Sequence, residues 1–122
     1  LSRPLSQERR VQHYHMWVDL KDSHQDLEFA AAVRAWLGHL QHEKRIENFT
    51  LTRRKLGLGP DGLGEFHVCV FATDLAQLDR AFDLAATRDG ETEKLHRNVY
   101  SRVTNFKAAL YREFPDAGRK GA

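Results

Sequence analysis

Cysteine is nearly absent. The one present, Cys69, excludes an internal disulfide framework and fits a reducing compartment. Long apolar runs are missing too: none approaches the ~18 residues of a membrane span, and no apolar segment resembling a signal peptide opens the chain. A cytoplasmic address without membrane association is therefore expected. Charge of one sign is scarce. The net charge is +2 with seven histidines counted neutral, and the basic residues are dispersed, so nucleic acid is not an expected partner. There is no internal repeat and no low-complexity tract. What is present is 41% hydrophobic and 30% charged residues in 122, the balance of a single soluble domain. A domain of that length buries roughly two-thirds of its unfolded surface without needing a covalent staple.

The chain is organised around His13-Tyr14-His15-Met16-Trp17-Val18-Asp19-Leu20. Side chains alternate across a strand, so Tyr14, Met16, Val18 and Leu20 form an apolar face and His13, His15, Trp17 and Asp19 the other. One face builds a core; the other is available for chemistry. Residues 1–11 read as a flexible arm, 12–115 as one domain and 116–122 as a flexible tail. After the first strand, Ser23 is placed to cap a helix, with Asp26 completing an imperfect capping box. Phe29, Val33, Trp36, Leu37 and Leu40 then give that helix an apolar stripe to about residue 45.

Residues 48–56 alternate as a second strand, and the glycines of 57–64 make a long turn into a third strand over 65–72. The letters of 57–62 match G-x-G-x-x-G, but a dinucleotide fingerprint needs a helix N-terminus after it, and here a strand follows. In the third strand Phe66, Val68, Val70 and Ala72 are the apolar set, opposite Glu65, His67, Cys69 and Phe71. Thr73-Asp74 opens a second helix ending near Asp89-Gly90. Leu95, Val99, Val103, Phe106, Leu110 and Phe114 then fall at steps of three and four, which predicts one long helix stopped by Pro115. A short strand over 97–103 followed by a shorter helix is the alternative. Tyr100 and Tyr111 read as packing residues of that helix, and His24 and His96 as residues at the surface or at helix ends.

The order strand, helix, strand, strand, helix is the split βαβ pattern of a ferredoxin-like α+β fold with an antiparallel sheet and helices on one face. On the double-patterned strands His13 to Leu20 and Glu65 to Ala72, and the helices at 26–45 and 74–88, the chain resembles the dimeric α+β-barrel superfamily. The resemblance covers residues 12–88 and departs from the family where a fourth strand should close the sheet. It implies a homodimer paired through the free sheet face, with small molecules bound between the sheets. Members include cofactor-independent monooxygenases, haem-handling enzymes and lactone isomerases. None of their catalytic motifs is matched, so the resemblance transfers no catalytic residue.

Adjacent first and third strands would place His13, His15, Trp17, Asp19, Glu65, His67, Cys69 and Phe71 on one side. Three imidazoles suit proton transfer near neutral pH, with His15 or His67 taking the proton and Glu65 or Asp19 orienting a ring. Trp17 and Phe71 would hold an aromatic or apolar ligand, and no cofactor is called for. The alternatives are a non-catalytic dimerisation face, its histidines hydrogen-bonded to each other, to Thr50 or Thr52 or to water, and a metal enzyme using His13, His15 and His67. Cys69 reads as a buried thiol, since a nucleophile would need an electropositive setting. Arg53, Arg54 and Lys55 read as a solvated edge, with Arg54 able to draw an anion toward the mouth of the site. His39 and His42 read as a solvated helix face.

Overall fold

The computed structural model describes residues 11–86 and 90–115. The expected arm, apart from its last residue, the tail and the end of the second helix at Asp89 lie outside the described residues. Strand β1 (Gln12–Leu20) is followed by a 3-10 turn (Ser23–Gln25), helix α1 (Asp26–His42), strands β2 (Asn48–Arg53) and β3 (Phe66–Ala72), helices α2 (Leu75–Ala86) and α3 (Gly90–Tyr100), and strand β4 (Val103–Arg112). The sheet order is β2-β3-β1-β4, and each neighbouring pair is antiparallel.

The alternation read in β1 and β3 sets which face is covered. Val18, Phe66, Val68 and Val70 pack against Phe29, Val33, Leu37 and Leu40 of α1, with Tyr14, Met16 and Leu20 partly buried beside them. Phe29 meets Phe66 edge-on at 5.1 Å, an arrangement that suits the ring quadrupoles. The expected cap at Ser23 is supplied one residue earlier, because the Asp22 carboxylate accepts from the His24 N–H and starts the 3-10 turn. At α2 the cap is where Thr73-Asp74 placed it. The Asp74 carboxylate accepts from the Gln77 N–H, and the Gln77 side-chain amide oxygen accepts from the Thr73 N–H just before the cap, an arrangement close to a capping box. The amide of buried Gln77 also donates to the Lys44 carbonyl and the Glu47 carboxylate, tying α2 to the loop after α1.

The long C-terminal helix is corrected. The helix ends at Tyr100 and a strand occupies 103–112, so neither a continuous helix nor a strand at 97–103 holds. Spacings of four are even, so Phe106 and Leu110 share a strand face as readily as a helix face. The step of three from Val103 to Phe106 would break strand alternation, but a bulge absorbs it. The register against β1 shifts between Trp17 and Asp19, and Asn105 sits there at φ 57, in the left-handed region that asparagine tolerates. Pairing with the otherwise open edge of β1 satisfies backbone groups that a helix here would leave unpaired on the sheet.

Candidate functional site

The face of the sheet away from the helices carries the histidines. Register places His13 opposite Phe71, His15 opposite Cys69 and Trp17 opposite His67 on β3. On the other flank, His13 lies opposite Tyr111, His15 opposite Ala109 and Trp17 opposite Lys107 of β4. The central feature is a hydrogen bond of 2.8 Å between His15 Nδ1 and His67 Nε2. The two rings are near parallel, with centroids 5.1 Å apart. Trp17 stacks on His15 at 5.7 Å, and Tyr111 packs roughly perpendicular to the His15 ring at 5.0 Å. These four residues border an open depression of about 380 Å³.

The setting disfavours the charged form of both imidazoles. Burial pushes the His15 pKa below the usual 6.5, and the positive charge available to His67 and His13 pushes it further; burial alone lowers His67. A neutral pair sharing one bond needs one ring to donate and the other to accept. The second His67 nitrogen, Nδ1, faces the Thr52 hydroxyl at 3.4 Å, so a chain runs from Thr52 through His67 to His15. With His67 protonated on Nδ1, His15 donates from Nδ1 and keeps a lone pair on Nε2 for a ligand.

The other residues expected at the site are placed as follows. His13 packs edge-on to Phe71 at 4.8 Å, one row along from the pair, with its ring 6.2 Å from that of His15. Asp19 and Glu65 do not orient an imidazole. Asp19 accepts from the Glu65 N–H and from the Asn105 amide, and these two bonds lower its pKa. Glu65 instead pairs with Arg53 at 2.5 Å, and Arg53 also reaches Asp26. Thr52 takes the orienting place because it shares the row of His67 on β2. Arg54 donates to the Leu63 carbonyl at 2.6 Å inside the hairpin loop, though it also lines a depression of about 270 Å³ shared with Trp17 and His67. Cys69, opposite His15 in the register, is buried, and burial pushes its thiol up to about 11, so it is protonated at neutral pH. Among the described residues no group of three metal-binding side chains converges, so the geometry gives no support to the His13, His15 and His67 metal set.

Tyr111 is the site residue that the sequence reading assigned to helix packing. The signal was present once 103–112 is taken as a strand, since Lys107, Ala109 and Tyr111 then alternate with Phe106, Ala108 and Leu110. His96 is likewise no surface residue: its ring stacks on Trp36 at 4.7 Å between helices and sheet. His39 bridges α1 and α3 through a 3.2 Å bond with Thr92, while His42 is exposed as expected.

No helix among the described residues is long and apolar enough to cross a membrane. No curated protein matches the chain. Solved structures do. SnoaB, a cofactor-independent oxygenase from Streptomyces nogalater, is 12% identical with a TM-score of 0.62, over 86% of this chain and 97% of that one. A dimeric ferredoxin-like protein of unknown function from Jannaschia sp. CCS1 is 11% identical with a TM-score of 0.63, over 84% of this chain and 99% of that one. A dimeric protein of unknown function and ferredoxin-like fold from Bacteroides fragilis is 10% identical with a TM-score of 0.55, over 86% and 98%. At these identities the likeness is one of fold, and it is the ferredoxin-like fold that the strand order already specifies. The matching sequence family extends over residues 11–122, and the chain belongs to it: DUF6614, a family of unknown function.

Proposed function

We propose that the protein is a homodimer paired through its free sheet face, and that it binds a small aromatic or otherwise apolar molecule beside the His15–His67 pair. The observation that carries this reading is the 2.8 Å bond between two imidazoles on a face where Tyr111 is 61% exposed and Trp17 half-buried. An aromatic patch of this kind is poorly suited to remain in water, and the ferredoxin-like relatives from Jannaschia and Bacteroides fragilis are described as dimeric. A second sheet would roof the depression and exclude water from it.

The chemistry this arrangement supports is proton transfer without a cofactor. His15 Nε2 takes a proton from the ligand, His67 accepts the hydrogen bond from Nδ1, and Thr52 fixes the His67 tautomer. Trp17 provides a flat surface for an aromatic ring. Native mass spectrometry of freshly purified protein tests the reading. A mass of two chains plus a small organic molecule, the latter lost in His15→Gln/His67→Gln, is the expected result. A monomer, or an added mass that the double variant retains, overturns it.

A further inference from the structure

The free face of the sheet does not end at the histidine pair. Its depression of about 380 Å³ adjoins the second one of about 270 Å³, since Trp17 and His67 line both. The far wall of the second depression is the hairpin loop between β2 and β3, where Leu58, Pro60 and Leu63 line it together with Arg54. This loop rests on β1 itself, because a Cβ at Gly64 would overlap the Val18 backbone. One end of the site is therefore built of rings and the other of a loop that carries charge.

The loop holds two cations. Arg54 Nη2 donates to the Leu63 carbonyl at 2.6 Å and reaches the Pro60 carbonyl at 3.5 Å. The Gly59 backbone approaches so closely that a Cβ there would lie 2.6 Å from Arg54 Nε. From β4, Lys107, opposite Trp17 in the register, donates to the Gly62 carbonyl. Consecutive loop carbonyls thus fix two like charges at one corner, a setting that favours an anion there. The neighbouring acids answer this only in part. Glu65 is paired with Arg53. The Asn105 and Glu65 hydrogen bonds lower the Asp19 pKa, and the charges of Arg54 and Lys107 lower it further, so Asp19 lies within electrostatic reach of both cations. Its two oxygens are taken by those hydrogen bonds, and neither cation forms an ion pair with a carboxylate among the described residues. Two positive charges face one negative, and Arg54 Nη1 keeps its N–H donors without an acceptor among the described residues.

We propose that the molecule bound beside the His15–His67 pair is an aromatic carboxylate, its ring on Trp17 and its carboxylate at Arg54, with Lys107 adding charge. The inference rests on the sheet-face reading and narrows it from any small apolar ligand to an acid. A guanidinium presents a planar fork that fits a carboxylate. Because the loop already braces Arg54, little side-chain freedom is lost when an anion arrives. The ring platform and the cation share one surface, since Trp17 and His67 join the two depressions.

The test compares 2-naphthoate, an anion at pH 7.5, with its neutral counterpart 2-naphthamide in calorimetric titrations of the full chain. Wild type is expected to bind both, and naphthoate about tenfold more tightly. Arg54→Gln and, separately, Lys107→Gln should each cut that ratio by about threefold or more. Circular dichroism identifies any variant that fails to fold, and Lys107→Gln, on exposed β4, keeps the test decisive if Arg54→Gln unsettles the loop. Equal affinity of wild type for the two probes, or a ratio that either folded variant leaves intact, overturns this inference and leaves the sheet-face reading standing. Binding of neither probe at about 1 mM, or binding of both that persists unchanged in His15→Gln/His67→Gln, overturns the two together.

Discussion

Acidification should destabilise the protein through His15 and His67, with a sign and size that follow from their setting. Both native pKa values lie below 6.5 because burial opposes the charged ring, and for His15 because His67 and His13 add positive charge. Below pH 6.5 the unfolded chain binds protons that the native pair refuses, so unfolding becomes more favourable as pH falls. The contribution is fully present above about pH 6.5 and is lost on descent until the native pKa values are passed. The ceiling is about 1.4 kcal/mol per pH unit for each ring. The face is partly open to solvent, which screens the charges and reduces the combined effect to about 1 kcal/mol. With a urea slope typical of a small domain, that is about half a molar in the midpoint between pH 7.5 and 5.5. The assay is urea unfolding at fixed protein concentration, comparing wild type with His15→Gln/His67→Gln so that the five other histidines cancel. Identical pH dependence in the two proteins would refute the neutral-pair assignment.

Further outcomes follow from the packing. A side chain at Gly64 would overlap the Val18 backbone, so Gly64→Ala should cost about 1–3 kcal/mol by urea unfolding; a neutral result would contradict the close approach of hairpin loop and β1. Asn105→Val forces a β-branched residue into the left-handed region and removes a bond to Asp19, which predicts a loss of about 2 kcal/mol, whereas Asn105→Gly should lose less. Cys69 should resist iodoacetamide at pH 7.5 in the native state and react fully in urea, because its thiol is buried and pushed up to about 11; rapid native alkylation would show the sheet opening at β3.

The sequence revealed the parts of the fold in which one pattern dominates. β1 and β3 alternate cleanly, so their core and free faces were legible, and the split βαβ order made them neighbours. That was enough to bring His15, Trp17 and His67 together. β4 was not legible, because Phe106 and Leu110 satisfy both periods and the bulge at Asn105 hides the alternation. Losing β4 also lost Tyr111. Thr52 could be given a row only through the β2–β3 register, which a long glycine-rich turn leaves open in the sequence. Asp19 and Glu65 lay on the right face, but their partners Asn105 and Arg53 come from remote pairings that alternation does not specify.

Pairing of two chains through the histidine-bearing sheet face is the claim on which the proposed function depends, and sedimentation velocity of wild type beside Trp17→Glu tests it most directly. The wild type should sediment as a dimer. A carboxylate placed at the centre of the paired face should shift the variant to a folded monomer, because an unpaired buried charge is far costlier than the contacts it replaces. A monomeric wild type, or a Trp17→Glu protein that remains dimeric, would contradict the account.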